Sequence, residues 1–161
     1  MIRKLILIVI ALMAVPSVFA QSKSAKANKM HSGSRMLTYM SHPTKVTGEG
    51  LATASGVRFW DIQAGEGTPA EKGHVVKLVY KAWLESGTEI ASSRSIDNPT
   101  TFTLGAGQVI KGWEDGVQGM KAGGKRQIRI PAELAYGAAG VPPLVPPNSK
   151  LIFDIQLLEV Q

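Results

Sequence analysis

From residue 57 onward, apolar and polar positions alternate in short runs, interrupted once by a run of longer period. Val57 to Gln63 predicts a first strand, stopped by Ala64-Gly65-Glu66-Gly67. His74 to Leu84 predicts the longest strand, with Val76, Leu78, Tyr80, Ala82 and Leu84 on one face and Val75, Lys77, Val79, Lys81 and Trp83 on the other. Glu85-Ser86-Gly87-Thr88 reads as a hairpin turn, Glu89 to Ser93 as the return strand, and Thr101 to Leu104 as a short strand. Lys121 to Gly124 reads as a turn. Lys125 to Ile130 alternates, with Ile128 and Ile130 opposite Gln127 and Arg129, and Pro131 ends the ladder because it has no N–H to give. Ala132 to Tyr136 has the makings of one helical turn. Residues 137–150 form a loop holding Pro142, Pro143, Pro146 and Pro147, and Leu151 to Val160 is a last strand with Leu151, Phe153, Ile155 and Leu157 on one face.

The exception is Gln108 to Met120. Val109, Trp113 and Val117 recur every four residues, while Ile110/Trp113 and Val117/Met120 are three apart, which puts one apolar stripe on a short helix. Gly112, Gly116 and Gly119 each cost such a helix roughly 0.8–1 kcal/mol against alanine. It therefore needs a large apolar surface to lie on, and the glycines let its backbone come close to a sheet. Trp113 is the largest surface it offers, and the N–H groups of its first turn lack helical acceptors. Several strands around one helix predict an α+β domain, an antiparallel sheet wrapped on that helix.

The first 55 residues differ in character. Arg3 and Lys4, the apolar run Leu5 to Val15, Pro16 and the small-residue site Val18-Phe19-Ala20 have the physics of a secretory signal over residues 1–20. The run is too short for a bilayer that needs about twenty apolar residues. Cleavage after Ala20 would leave an exported protein, periplasmic or secreted, with no stable membrane insertion. Residues 21–55 read as a basic, disordered tail with an apolar island at Met36 to Met40, because so little apolar surface cannot offset chain entropy. The folded domain is then 56–161.

The 161 residues carry a net charge of +6 and no cysteine, so disulfides, a thiolate nucleophile and cysteine metal ligands are excluded. His31, His42 and His74 lack ligand spacing, and no metal or cofactor is expected. Gly105-Ala106-Gly107 precedes the helix without the rest of a phosphate-binding pattern. The basic charge is read as solubilising rather than as a specific nucleic-acid site. What remains is an aromatic constellation with hydroxyl handles: Tyr80, Trp113, Tyr136 and Phe153.

Over residues 56–161 the chain resembles the FKBP-type peptidyl-prolyl isomerases. The resemblance rests on Val109-Ile110-Lys111-Gly112-Trp113-Glu114-Asp115-Gly116-Val117, Ala135-Tyr136-Gly137, Val145-Pro146-Pro147-Asn148 and Leu151-Ile152-Phe153-Asp154-Ile155, in order and at the family's separations. It implies a half-barrel antiparallel sheet around one short helix, with an apolar pocket between them. Trp113 would be the floor, Tyr80, Ile90, Val109, Tyr136 and Phe153 the walls, and Leu144 and Val145 the lid. The Ile110 N–H and the Tyr136 hydroxyl would bond ligand carbonyls. The implied activity is cis–trans isomerisation of X–Pro bonds in exported polypeptides, with macrolides such as rapamycin as ligands; the alternative is a non-catalytic proline-binding or chaperone module using the same pocket. Ala91 stands where the family usually has aspartate, Ile90 and Thr100 where aromatics are common, and Pro143 where glycine is frequent. These departures imply a smoother, less polar pocket.

Overall fold

The computed structural model describes residues 41–93 and 96–161. The readings of residues 1–40 as a signal, a basic stretch and the Met36 to Met40 island lie outside the described residues.

Among the described residues the strands are β1 (Leu51–Ala52), β2 (Arg58–Gln63), β3 (Glu66–Pro69), β4 (Val75–Leu84), β5 (Glu89–Ser92), β6 (Thr100–Thr103), β7 (Lys121–Ala122), β8 (Lys125–Ile130) and β9 (Leu151–Val160). One helix, α1 (Lys111–Val117), and a 3-10 turn at Ala132–Leu134 complete the set. The main sheet is antiparallel in the order β1-β2-β8-β9-β4-β5, with β6 also paired to β4. The alternation read from β4, β8 and β9 holds. Val76, Leu78, Ala82, Ile128, Ile130, Leu151, Phe153, Ile155 and Leu157 join one buried cluster with Trp113 and Val117 of α1.

The glycines of α1 act as the pattern requires. A Cβ at Gly112 would overlap the buried Ile130 side chain, and one at Gly116 would sit 3.0 Å from Ile128. Only backbone fits against β8 here, so the helix rests on the sheet's inner face. The helix is shorter than its apolar stripe. Ile110 is the N-cap in an extended conformation, and Gly119 turns left-handed at φ +79°, so Val109 and Met120 are buried from flanking turns.

Two expectations are corrected. Glu66–Pro69 and Lys121–Ala122, read as part of a stop signal and as a turn, pair with each other in a second, two-stranded sheet. Their residues are turn-rich, and only the partner, far away in sequence, makes them strands. The tail read as disordered through residue 55 is also tied down from Thr44. The Thr44 N–H and hydroxyl both donate to Asp154 Oδ2 at 2.7 Å, while Gln127 Nε2 donates to Asp154 Oδ1 at 2.8 Å and to the Thr44 carbonyl at 2.7 Å. Asp154 and Gln127 are both fully buried on the outer face of the sheet, where a carboxylate is stable only with such donors. This strap continues through β1, which pairs with β2. Thr44→Val keeps the N–H but removes the hydroxyl from a buried carboxylate. It should lower stability by roughly 1–2 kcal/mol, read as a shift in the urea midpoint with an unchanged slope.

Candidate active site

Trp113 is the centre of an aromatic cluster because α1 presents it to the inner face of β4 and β9. Tyr80 of β4 meets it edge-on with centroids 4.7 Å apart and planes at 81°, and Phe153 of β9 does the same at 5.3 Å and 84°. Tyr80 and Phe153 lie diagonally across the β4–β9 ladder, where Ala82 is opposite Phe153, and their rings are 6.1 Å apart. Phe102 of β6, which the sequence reading left out of the site, lies 5.9 Å from Trp113. Its signal was present: Phe102 in β6 and Leu104 just beyond it are two residues apart and both buried.

Of the residues expected at the site, Ile90, Val109, Trp113, Val145 and Phe153 are buried in this one cluster, with Tyr80, Ile110 and Tyr136 half-buried against it. Ala91 packs there too, opposite Ala82. Leu144 does not join them and stays 41% exposed. Residues 137–150 nevertheless form a closed cover. The Val141 and Val145 backbones bond each other reciprocally at 2.8 and 2.9 Å, Asn148 N–H reaches the Gly137 carbonyl at 2.9 Å, and the Pro142–Pro143 bond is cis. Val145 is buried in the cluster and Val141 packs against it, partly buried.

The polar groups of the cluster are few. Among the described residues the Ile110 N–H and the hydroxyls of Tyr80 and Tyr136 have no hydrogen-bond partner, and the buried Trp113 Nε1 has none either. Burial pushes the Tyr80 phenol up, and burial together with the neighbouring Tyr80 raises Tyr136 to about 12. Both are therefore neutral donors at ordinary pH. For a raised phenol the folding stability is complete below the unfolded value near 10 and is lost as pH climbs from there towards the folded value. Stability should thus fall between about pH 10 and 12, and this part of the loss should disappear in a Tyr80→Phe/Tyr136→Phe variant followed by circular dichroism.

The profile of the FKBP-type peptidyl-prolyl cis-trans isomerases matches residues 66–158. The chain belongs to that family. The FK506-binding protein of Neisseria meningitidis serogroup B is 49% identical to this FKBP-type chain over 105 residues, covering 65% of the chain and 96% of the relative. Among solved structures, FkpA from Escherichia coli superposes with a TM-score of 0.63 at 39% identity, over 70% of this chain and about half of its own (52%). A peptidyl-prolyl cis-trans isomerase from Pseudomonas syringae gives a TM-score of 0.64 at 30% identity, over 71% of this chain and 83% of its own. The FKBP-type match thus takes in β3 to β8, most of β9, α1 and the aromatic cluster together.

Proposed function

We propose that this FKBP-type domain rotates X–Pro peptide bonds by seating the proline against Trp113, between Tyr80, Phe153 and Tyr136. The observation that carries the reading is the pairing of an aromatic, uncharged cluster with hydroxyl and N–H donors that have no acceptor of their own. X–Pro rotation must cross a barrier of about 18–20 kcal/mol set by amide resonance. The twisted amide has less charge separation than the planar one, so an apolar surface disfavours the planar form relative to the transition state. In this reading the Ile110 N–H and the Tyr136 hydroxyl hold flanking carbonyls in register, and they aid the rate only where they bind the twisted form better. No nucleophile, metal or proton transfer is needed.

The same surface suits a macrolide such as rapamycin, in keeping with the FK506-binding relatives. The proposed clients are exported polypeptides whose folding waits on X–Pro bonds. That reading rests on the signal-like residues 1–20, in which Arg3 and Lys4 precede a short apolar run. Among the described residues no helix is long and apolar enough to cross a membrane.

Tyr136→Phe is the clean test of the donor role, because its hydroxyl makes no bond to the described residues and its loss should cost the fold little. Turnover of a short X–Pro peptide should fall by about 0.5–1.5 kcal/mol in kcat/KM, up to roughly tenfold, at an unchanged melting temperature. Equal turnover in the variant would remove Tyr136 from the mechanism.

A further inference from the structure

On the outer face of the sheet, Arg58 of β2 and Arg129 of β8 stand directly opposite one another in the ladder, where like charges destabilise the pair. Neither has an acid partner among the described residues. Arg58 Nη1 donates to the Glu49 carbonyl at 2.8 Å. Arg129 Nε reaches Gln127 Oε1 at 3.4 Å, and its guanidinium lies 4.8 Å over the Trp60 ring. The remaining guanidinium N–H groups have no acceptor among the described residues. Both arginines line a groove of about 270 Å³, together with Lys150, Glu85 and an apolar floor that includes Pro131 and Ile152. Lys150 meets Glu85 only at 3.9 Å, with both side chains well exposed, so such a pair neutralises little. Three cations therefore face one acid.

The groove's place in the fold says what reaches it. Pro131 and Lys150 are the two ends of the segment that carries Tyr136 and Val145 to the aromatic cluster, and the pairing of Ile130 with Leu151 brings those ends together. A polypeptide running from the pocket along this segment and over the end of the sheet would meet the cations at its root. We propose that the groove binds the carboxylates of an acidic segment flanking the X–Pro bond, and so selects acidic clients; this rests on the isomerase reading above. Guanidinium forks match carboxylates in a bidentate manner, and the apolar floor suits an extended chain. The aromatic here, Trp60, is half-buried and its ring is covered by Arg129, which leaves no platform for stacked bases.

The test compares two fluorescent peptides sharing one X–Pro core, flanked by four glutamates or by four glutamines, on the full chain. Affinity is read by anisotropy and turnover by cis–trans exchange. The glutamate peptide should bind at least about fivefold tighter at low salt, an advantage largely lost near 1 M salt. Arg58→Gln/Arg129→Gln should abolish the advantage while turnover of the glutamine peptide is unchanged. Arg58→Gln alone, which relieves the repulsion across the ladder, should fold normally and lose part of the preference. Equal affinity for the two peptides, or a preference that survives the double variant, would overturn the proposal. So would tighter binding of single-stranded DNA or anionic vesicles that the same variants abolish. A glutamate preference without turnover of either peptide would sink the isomerase reading and leave the groove's assignment to acidic polypeptide standing.

Discussion

Arg126→Ala should unfold the domain at markedly lower urea, with a stability loss of roughly 3–4 kcal/mol. Its guanidinium is buried and forms a fork with Asp61, Nε to Oδ1 at 2.6 Å and Nη2 to Oδ2 at 3.1 Å. Its Nη1 also donates to the carbonyls of Gly116 and Gln118 at 2.9 and 3.1 Å. Those carbonyls are the unsatisfied end of α1, whose last turn holds no basic residue of its own. Arg126 therefore caps the helix from β8, and the Phe59 ring lies 4.2 Å beneath its guanidinium. Asp61 is half-exposed and regains water when the arginine goes, but the buried Gly116 carbonyl does not. Arg126→Lys should recover only part of the loss, because a point charge cannot serve the carboxylate fork and two carbonyls at once. A loss below about 1 kcal/mol in the alanine variant would show that α1 needs no cap from the sheet.

The second large effect is expected at Trp113. Leucine there keeps an apolar floor but gives up ring contacts with Tyr80, Phe102 and Phe153, each such pair contributing about 0.5–1.5 kcal/mol. It also leaves a void under the pocket, so stability should drop by about 2–3 kcal/mol, softened because the orphaned Nε1 donor disappears as well. The domain should remain folded at room temperature. In the folded variant kcat/KM on an X–Pro peptide should fall about tenfold or more, as the loss of one or two ring contacts to the seated proline requires. Unchanged turnover with intact near-ultraviolet circular dichroism would place the reaction elsewhere.

What could be read in the sequence followed from short-range pattern. The stripe Val109, Trp113, Val117 and the two-residue alternation of β4, β8 and β9 each place side chains on a known face. That was enough to bring Tyr80, Trp113 and Phe153 together once the sheet closed. What escaped depends on partners distant in sequence. Thr44 reaches Asp154 across 110 positions, and nothing local to the Ser/Thr/Gly-rich segment announces a buried carboxylate. Burial of Gln127 on the outer face is unreadable for the same reason, since the strap covers it and the strand pattern does not. β3 and β7 are too short and too rich in turn residues for alternation to register. The exposure of Leu144 turns on how residues 137–150 close on themselves, which the proline count does not dictate.

The central claim, that this pocket speeds X–Pro rotation, is tested most directly by exchange NMR on a short Ala-Pro peptide with substoichiometric full-length chain. Uncatalysed exchange takes tens to hundreds of seconds. The wild type should shorten it severalfold or more, with a rate flat from about pH 6 to 9 because the raised phenols do not titrate there, and an excess of rapamycin should return it to the uncatalysed value. Peptide that binds with its exchange time unchanged would contradict the account and leave a proline-binding module in place of an isomerase.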